Sequence, residues 1–161
     1  MLLTIISKLR RKESIDVFGL NTSYKKIMKH LEVCGAILLK DNKVLCAQRN
    51  AGKYEYVSYK WKFPGGKLEP GESAKEALHR ELIEEMDVHI DEEDMEPFYV
   101  VEHQYPDFEM RMHCFICNMR DNYVNLKEHV DIKWSAADNI EELDWAPADI
   151  PVVRALVERG F

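Results

Sequence analysis

The sequence predicts a mixed α/β domain: a β-sheet with helices packed against it. Three observations point there. Short apolar runs rich in β-branched residues, bounded by turn residues, occur on both sides of one clear helical segment. That segment carries a capping pattern and an apolar stripe of period four. A second helical pattern closes the chain, so the order reads β-β-β-α-β-β-β-α. The 161 residues suit one domain with its own core.

Leu31–Leu39 is an apolar strand run, and Asp41-Asn42 supplies a turn into a second strand, Lys43–Arg49. Residues 50–60 are polar and tyrosine-rich and read as a loop. Trp61-Lys62-Phe63 is a short strand stopped by Pro64-Gly65-Gly66. Ser73 begins a helix that runs to Met86, with Glu76 at the capping-box spacing and Leu78, Leu82 and Met86 as its buried stripe. Tyr99–His103 and Glu109–Asn118 are strands around a Tyr105-Pro106-Asp107 turn, and Asp131–Ser135 is another. Pro151–Arg159 is a helix with proline in its first turn.

Composition excludes several function classes. At 46% apolar and 32% charged the chain is neither disordered nor a disulfide mini-protein. A net charge of −7 argues against general binding of nucleic-acid polymers, which takes clustered Lys and Arg. No window approaches the roughly 20 apolar residues of a membrane span. The N-terminus places its apolar residues before its basic ones, the reverse of a secretory signal, so a cytoplasmic location is expected. Four cysteines fit as reduced thiols. Cys114 and Cys117 form a C-x-x-C, but on a strand they point to opposite faces, which favours packing over a redox or zinc site. His103, His113 and His129 show no zinc spacing.

The charge is unevenly placed. Residues 69–96 hold twelve carboxylates and two bases, a local net of −10, so the rest sums to +3. Residues 1–30 carry seven bases and two acids. Residues 1–27 are expected to be an N-terminal extension, either loosely held or a basic amphipathic contact for a membrane surface or partner, with the domain spanning 28–161.

Within the acidic block, Glu81, Glu84 and Glu85 share one side of the helix. Alone they would suit a solvated face. The preceding Gly65-Gly66 lets backbone run close to a ligand. Carboxylates facing a glycine loop suit a hard divalent ion shared with substrate phosphates, Mg²⁺ first and Mn²⁺ as the alternative. Asp91–Asp94 fits no such pattern and reads as a solvated turn.

The segment Gly66-Lys67-Leu68-Glu69-Pro70-Gly71-Glu72, seven residues, then Arg80-Glu81-Leu82-Ile83-Glu84-Glu85-Met86-Asp87-Val88 resembles the Nudix box. Every fixed position matches except Asp87, which stands where the family has a helix-ending glycine. Asp tolerates positive φ better than most residues, so the expected cost is small. Trp61–Lys67, Glu128-His129 with Trp134, and Trp145–Pro151 resemble further segments of the MutT-type branch.

That resemblance implies the Nudix fold, a mixed sheet sandwiched between helices (α/β/α). It implies metal ligation by Glu81, Glu84 and Glu85 with the Gly65 carbonyl. Glu128 would be a further ligand or the general base. Arg80 is expected to pair with Glu72 and hold the carboxylates in register, the alternative being direct phosphate contact. Arg49 and Lys67 are candidate phosphate contacts or solvated charges. Asp149 would read the nucleobase edge or cap the last helix. Trp145 and Phe115 would wall in the base, with core packing the alternative for Phe115. Tyr54, Tyr56 and Tyr59 would form a lid or a plain surface loop.

The activity so implied is Mg²⁺-dependent hydrolysis of nucleoside triphosphates to monophosphate and pyrophosphate. The implied substrates are oxidised or modified (d)NTPs such as 8-oxo-dGTP, or cytosine triphosphates, and the implied role is nucleotide-pool sanitation in support of DNA repair. A monomer or homodimer is expected. The alternatives are hydrolysis of another nucleoside diphosphate derivative, a nucleotide-sensing module without turnover, and a partner-binding protein that uses the basic arm.

Overall fold

The computed structural model describes residues 28–120, 123–127 and 131–161. The expectations for residues 1–27 and for Glu128 and His129 lie outside the described residues. The strands are β1 (Lys29–Lys40), β2 (Lys43–Gln48), β3 (Trp61–Lys62), β4 (Met95–Gln104), β5 (Phe108–Asn118) and β6 (Asp131–Ser135). The helices are α1 (Ala74–Met86), α2 (Ala137–Ile140) and α3 (Ile150–Arg159).

The six strands form one mixed sheet in the order β3-β2-β1-β5-β4, with β6 paired to β2. β1 and β5 run parallel at its centre, and the β4–β5 hairpin is antiparallel with an irregularity at Pro97/Tyr99. The β1–β2 turn takes positive φ at Asp41 and Asn42, 50° and 57°, as a two-residue hairpin requires.

Strand alternation gives the sheet two dry faces. Val33, Ile37, Met112, Cys114 and Ile116 join Val152, Val153 and Leu156 of α3 in one core. Cys34, Ala36, Leu38, Phe115 and Cys117 join Ala77, Leu78, Leu82 and Met86 of α1 in the other. The sheet is therefore sandwiched between helices, as expected. Cys114 and Cys117 fall on opposite faces as buried packing residues, and burial pushes the Cys117 thiol up to about 12.

The helix signals also hold. Ser73 Oγ accepts from the Glu76 amide at 3.2 Å, and the Glu76 carboxylate accepts from the Ser73 amide at 2.7 Å. Asp87 ends α1 in the left-handed region (φ 57°), its amide donating to the Ile83 carbonyl and that of Val88 to Leu82. Strand β4 begins at Met95, four residues before the apolar run that announces it. Helix α2 is an addition: four residues are too few to show a period. Asp91–Asp94 is an exposed single 3₁₀ turn and its flank. Among the described residues no helix is long and apolar enough to cross a membrane.

Candidate active site

The site is built where the loop after β3 crosses β1 and meets α1. The Cys34 and Ala36 amides donate to the carbonyls of Gly66 and Pro64 at 2.8 and 2.7 Å, so the loop lies flat on β1. Gly65 takes φ 139°, and a Cβ there would collide with the Cys34 carbonyl. At Gly66 a Cβ would collide with the Glu81 carboxylate. Gly65 is thus required by its backbone conformation and close approach, whereas at Gly66 a side chain would have to push the Glu81 carboxylate aside.

Arg80 organises the cluster. Its Nε and Nη2 donate to the two Glu72 oxygens at 2.7 and 2.9 Å, a bidentate fork. Its Nη1 donates to Glu81 at 2.8 Å and Glu84 at 3.3 Å, and Nη2 also reaches the Lys67 carbonyl at 3.1 Å. The guanidinium beside Glu72 holds that carboxyl well down, at about 2. The expected pairing of Arg80 with Glu72 is present, and the same guanidinium also reaches Glu81 and Glu84 but not Glu85.

Glu85 is buried, with the Gly65 amide 3.4 Å from its Oε2 and the Lys62 ammonium 3.5 Å from Oε1. Among the described residues, no three His, Cys, Asp or Glu side chains converge as a preformed metal cage. The reason is local. Two of the three helix carboxylates turn to Arg80 and the third to Lys62. The donor set still suits a hard divalent ion: anionic oxygens and one carbonyl, around glycines that leave no room for a Cβ.

The second half of the site lies at the start of α3. Asp149 is fully buried, and its Oδ1 accepts from the Phe63 amide at 3.0 Å. It occupies the N-cap position of α3 without capping it through its side chain. Burial pushes its carboxyl up from 3.8 to about 6, against the lowering pull of the Phe63 amide and of Lys62 and Arg49. Trp145 is buried, tilted on Phe63 at 4.9 Å, and donates its indole N–H to the Ile140 carbonyl at 2.7 Å.

Phe115 does not join them. It packs in the α1 core, on the opposite face from Trp145 and Asp149, so the two aromatics cannot wall in one base. The register decides this: Phe115 alternates with Cys114 and Ile116, which face α3. Arg49 is half-buried at the end of β2, and Lys67 is exposed on the loop. Tyr54 and Tyr56 stack on each other at 5.3 Å, and Tyr56 stacks on Tyr105 at 5.2 Å, whereas Tyr59 is exposed. His103 packs edge-on against Tyr105, and His113 pairs with Glu32 at 2.9 Å.

Sequence reasoning passed over Lys62 and Tyr105. Lys62 donates to the Gly65 carbonyl at 2.8 Å, and the Tyr105 hydroxyl accepts from the Ala148 amide at 3.2 Å, one residue before Asp149. A lysine between two aromatics on a strand was the available signal for the first. The second had none, because the contact joins positions 43 residues apart.

Comparison with known proteins agrees with this geometry. Residues 28–156 match the NUDIX domain. The chain is 36% identical to the CTP pyrophosphohydrolase of Escherichia coli over 132 residues, 81% of this chain and 93% of that protein. It is 29% identical to the 8-oxo-dGTP diphosphatase of the same organism over 129 residues, 80% of this chain and 98% of that protein. A solution structure of a MutT Nudix hydrolase from methicillin-resistant Staphylococcus aureus superposes with a TM-score of 0.64 at 36% identity, over 83% of this chain and all of that one. Box, fold and relatives converge: this chain belongs to the Nudix hydrolase family.

Proposed function

We propose that this protein is a Mg²⁺-dependent pyrophosphohydrolase of nucleoside triphosphates, with Mn²⁺ as an alternative ion. Water attacks the β-phosphorus and the bond to the α–β bridging oxygen breaks. That oxygen leaves with the nucleoside monophosphate, and the water oxygen stays with pyrophosphate.

The observation that carries this reading is the Arg80 fork, which ties Glu72, Glu81 and Glu84 together around the Gly65-Gly66 loop. In this reading Glu81, Glu84, Glu85, the Gly65 carbonyl and Glu128 hold the divalent ion. When bound, that ion neutralises triphosphate charge and makes a water easier to deprotonate. Glu128 is a further ligand or takes the water's proton. Arg80 positions the carboxylates, and Arg49 and Lys67 contact the phosphates.

Asp149 reads the base edge. A carboxyl near pKa 6 accepts from an exocyclic amine when ionised and donates to a ring nitrogen when protonated. Trp145 and Phe63 form the apolar wall beside it. Cytosine triphosphates and 8-oxo-dGTP head the substrate list, in keeping with the names of the two E. coli relatives, and the role is nucleotide-pool sanitation.

A panel of canonical and oxidised (d)NTPs with Mg²⁺, scored for monophosphate against diphosphate, tests this. Monophosphate and pyrophosphate as paired products are expected. Release of nucleoside diphosphate and inorganic phosphate instead would move cleavage to the β–γ bond and overturn the reading. Turnover of nucleotide sugars or dinucleotides alone would replace the substrate class.

A further inference from the structure

Strand β3 is only two residues long, yet it serves both halves of the site. Trp61 and Phe63 pack into the α3 core, so Lys62 between them is directed to the α1 side. There its ammonium donates to the Gly65 carbonyl at 2.8 Å and lies 3.5 Å from Glu85 Oε1. The two side chains are 14% and 9% exposed. An ammonium so shielded from water needs anionic or carbonyl oxygens in place of its hydration. The two oxygens it has found are both assigned above to the divalent ion. A monovalent and a divalent cation on the same carbonyl and carboxylate repel each other, strongly at so little exposure, so each weakens the other's hold.

We propose that Lys62 is the resident counter-ion of the metal site: its ammonium holds the Gly65 carbonyl and the Glu85 carboxylate in place until a divalent ion takes them over. The inference rests on the metal assignment made under Proposed function and adds a cost to it. Divalent binding to the free protein must displace the ammonium, so affinity without nucleotide is low. The displaced ammonium stays tethered to β3 beside the site, where a triphosphate gives it new anionic partners. Ion and nucleotide then reinforce each other's binding, and by linkage the reinforcement is mutual. Lys62 acts here as a positioning residue that sets the order of assembly.

The test needs no turnover. Mn²⁺ is titrated into the full chain without nucleotide, and free ion is followed by its paramagnetic resonance signal, for wild type, Lys62→Met, Lys62→Gln and Glu85→Gln. Lys62→Met is expected to bind Mn²⁺ about tenfold more tightly than wild type, and Lys62→Gln also more tightly. In EDTA, Lys62→Met should melt below wild type, because Glu85 has lost its counter-charge, and saturating Mn²⁺ should reverse that order. A non-hydrolysable triphosphate analogue should narrow the affinity gap. Equal or weaker Mn²⁺ binding by both Lys62 variants, with wild type binding normally, overturns the role of Lys62 alone. If Lys62→Met does not melt cooperatively, Lys62→Gln decides. Absence of Mn²⁺ binding in wild type and both Lys62 variants, or full binding by Glu85→Gln, overturns the metal assignment and the inference together.

Discussion

Glu72, on the α1 side of the sheet, is held near pKa 2 by the Arg80 fork, while Asp149, at the start of α3, is pushed to about 6 by burial. Both are tied to the same Pro64-Gly65-Gly66 turn: Glu72 follows it on the loop into α1, and Asp149 accepts from the amide of Phe63, the residue before it. Their environments divide the labour. On the α1 side every carboxylate of the cluster has a cation beside it, Arg80 or Lys62, which suits holding positive charge. At α3 the carboxyl accepts from one amide, and burial outweighs the pull of Phe63, Lys62 and Arg49, which suits a group that can accept or donate. On the proposed reading a strand of two residues stands between charge-handling and edge-reading, so the two should fail largely independently.

The largest break is on the α1 side. Glu85→Gln keeps the shape and removes the charge that faces Lys62 and Gly65. Pyrophosphate release should fall about 10³-fold, the scale of losing one preorganised electrostatic group, while the ranking of nucleobases among residual rates is kept. A wild-type rate would remove Glu85 from the chemistry. A changed ranking would mean that the two halves are not separate.

Next comes the pH dependence of stability at Asp149. Its folded pKa is raised, so the native state binds the proton more tightly than the unfolded chain does. Between pH 4 and 6 the folded state therefore holds more protons, and stability falls as pH rises through this window. The displacement from 3.8 to about 6 corresponds to roughly 3 kcal/mol, fully expressed above pH 6. Asp149→Asn keeps an acceptor for the Phe63 amide and cannot ionise. Its stability relative to wild type should grow from pH 4 to 6 and then level off, as measured by urea unfolding. A difference flat over that range would return Asp149 to an ordinary carboxylate.

Arg80→Lys comes third. Lysine keeps the charge but cannot make the fork to Glu72 while also reaching Glu81 and Glu84. Loss of such an orienting partner typically costs about 10–100-fold in activity or metal affinity. The Mg²⁺ concentration for half-maximal rate should rise, with KM for nucleotide little changed. The opposite split would make Arg80 a phosphate contact.

Much of this architecture is legible in the residues, and the limits of legibility are physical. Local signals report local structure: Ser73 and Glu76 announce the start of α1, Leu78, Leu82 and Met86 its buried stripe, and Asp41-Asn42 the hairpin. The box spacing places Arg80 beside Glu72 because eight residues of loop and helix bring them round. Facing is legible only where the register is known. Phe115 was a base-wall candidate because aromatic character is visible in a sequence while the face it takes depends on pairing with β1. Lys62 is the same lesson in reverse: its oxygens come from the turn and from α1, and only folding brings them to one ammonium.

The smallest effect asks where the chemistry of α1 stops. Asp87 ends the helix at φ 57°, a conformation that a Cβ makes costly by about 1–2 kcal/mol. Its negative charge also sits at the helix C-terminus, where the macrodipole disfavours it by a few tenths of a kcal/mol. Asp87→Gly removes both penalties but adds the entropy of a freer unfolded chain, which offsets roughly 0.5–1 kcal/mol. The balance centres on a gain of about 1 kcal/mol, or roughly 2–4 °C in Tm for a chain of this size. Glu85 is two residues away and is held by Lys62 and the Gly65 amide rather than by the helix end, so pyrophosphate release should not change. A stabilised variant with wild-type rates would put the boundary of the chemistry at Glu85. A variant that loses activity while gaining stability would show that the aspartate serves the reaction, and the charge-handling side would then extend two residues beyond the box carboxylates.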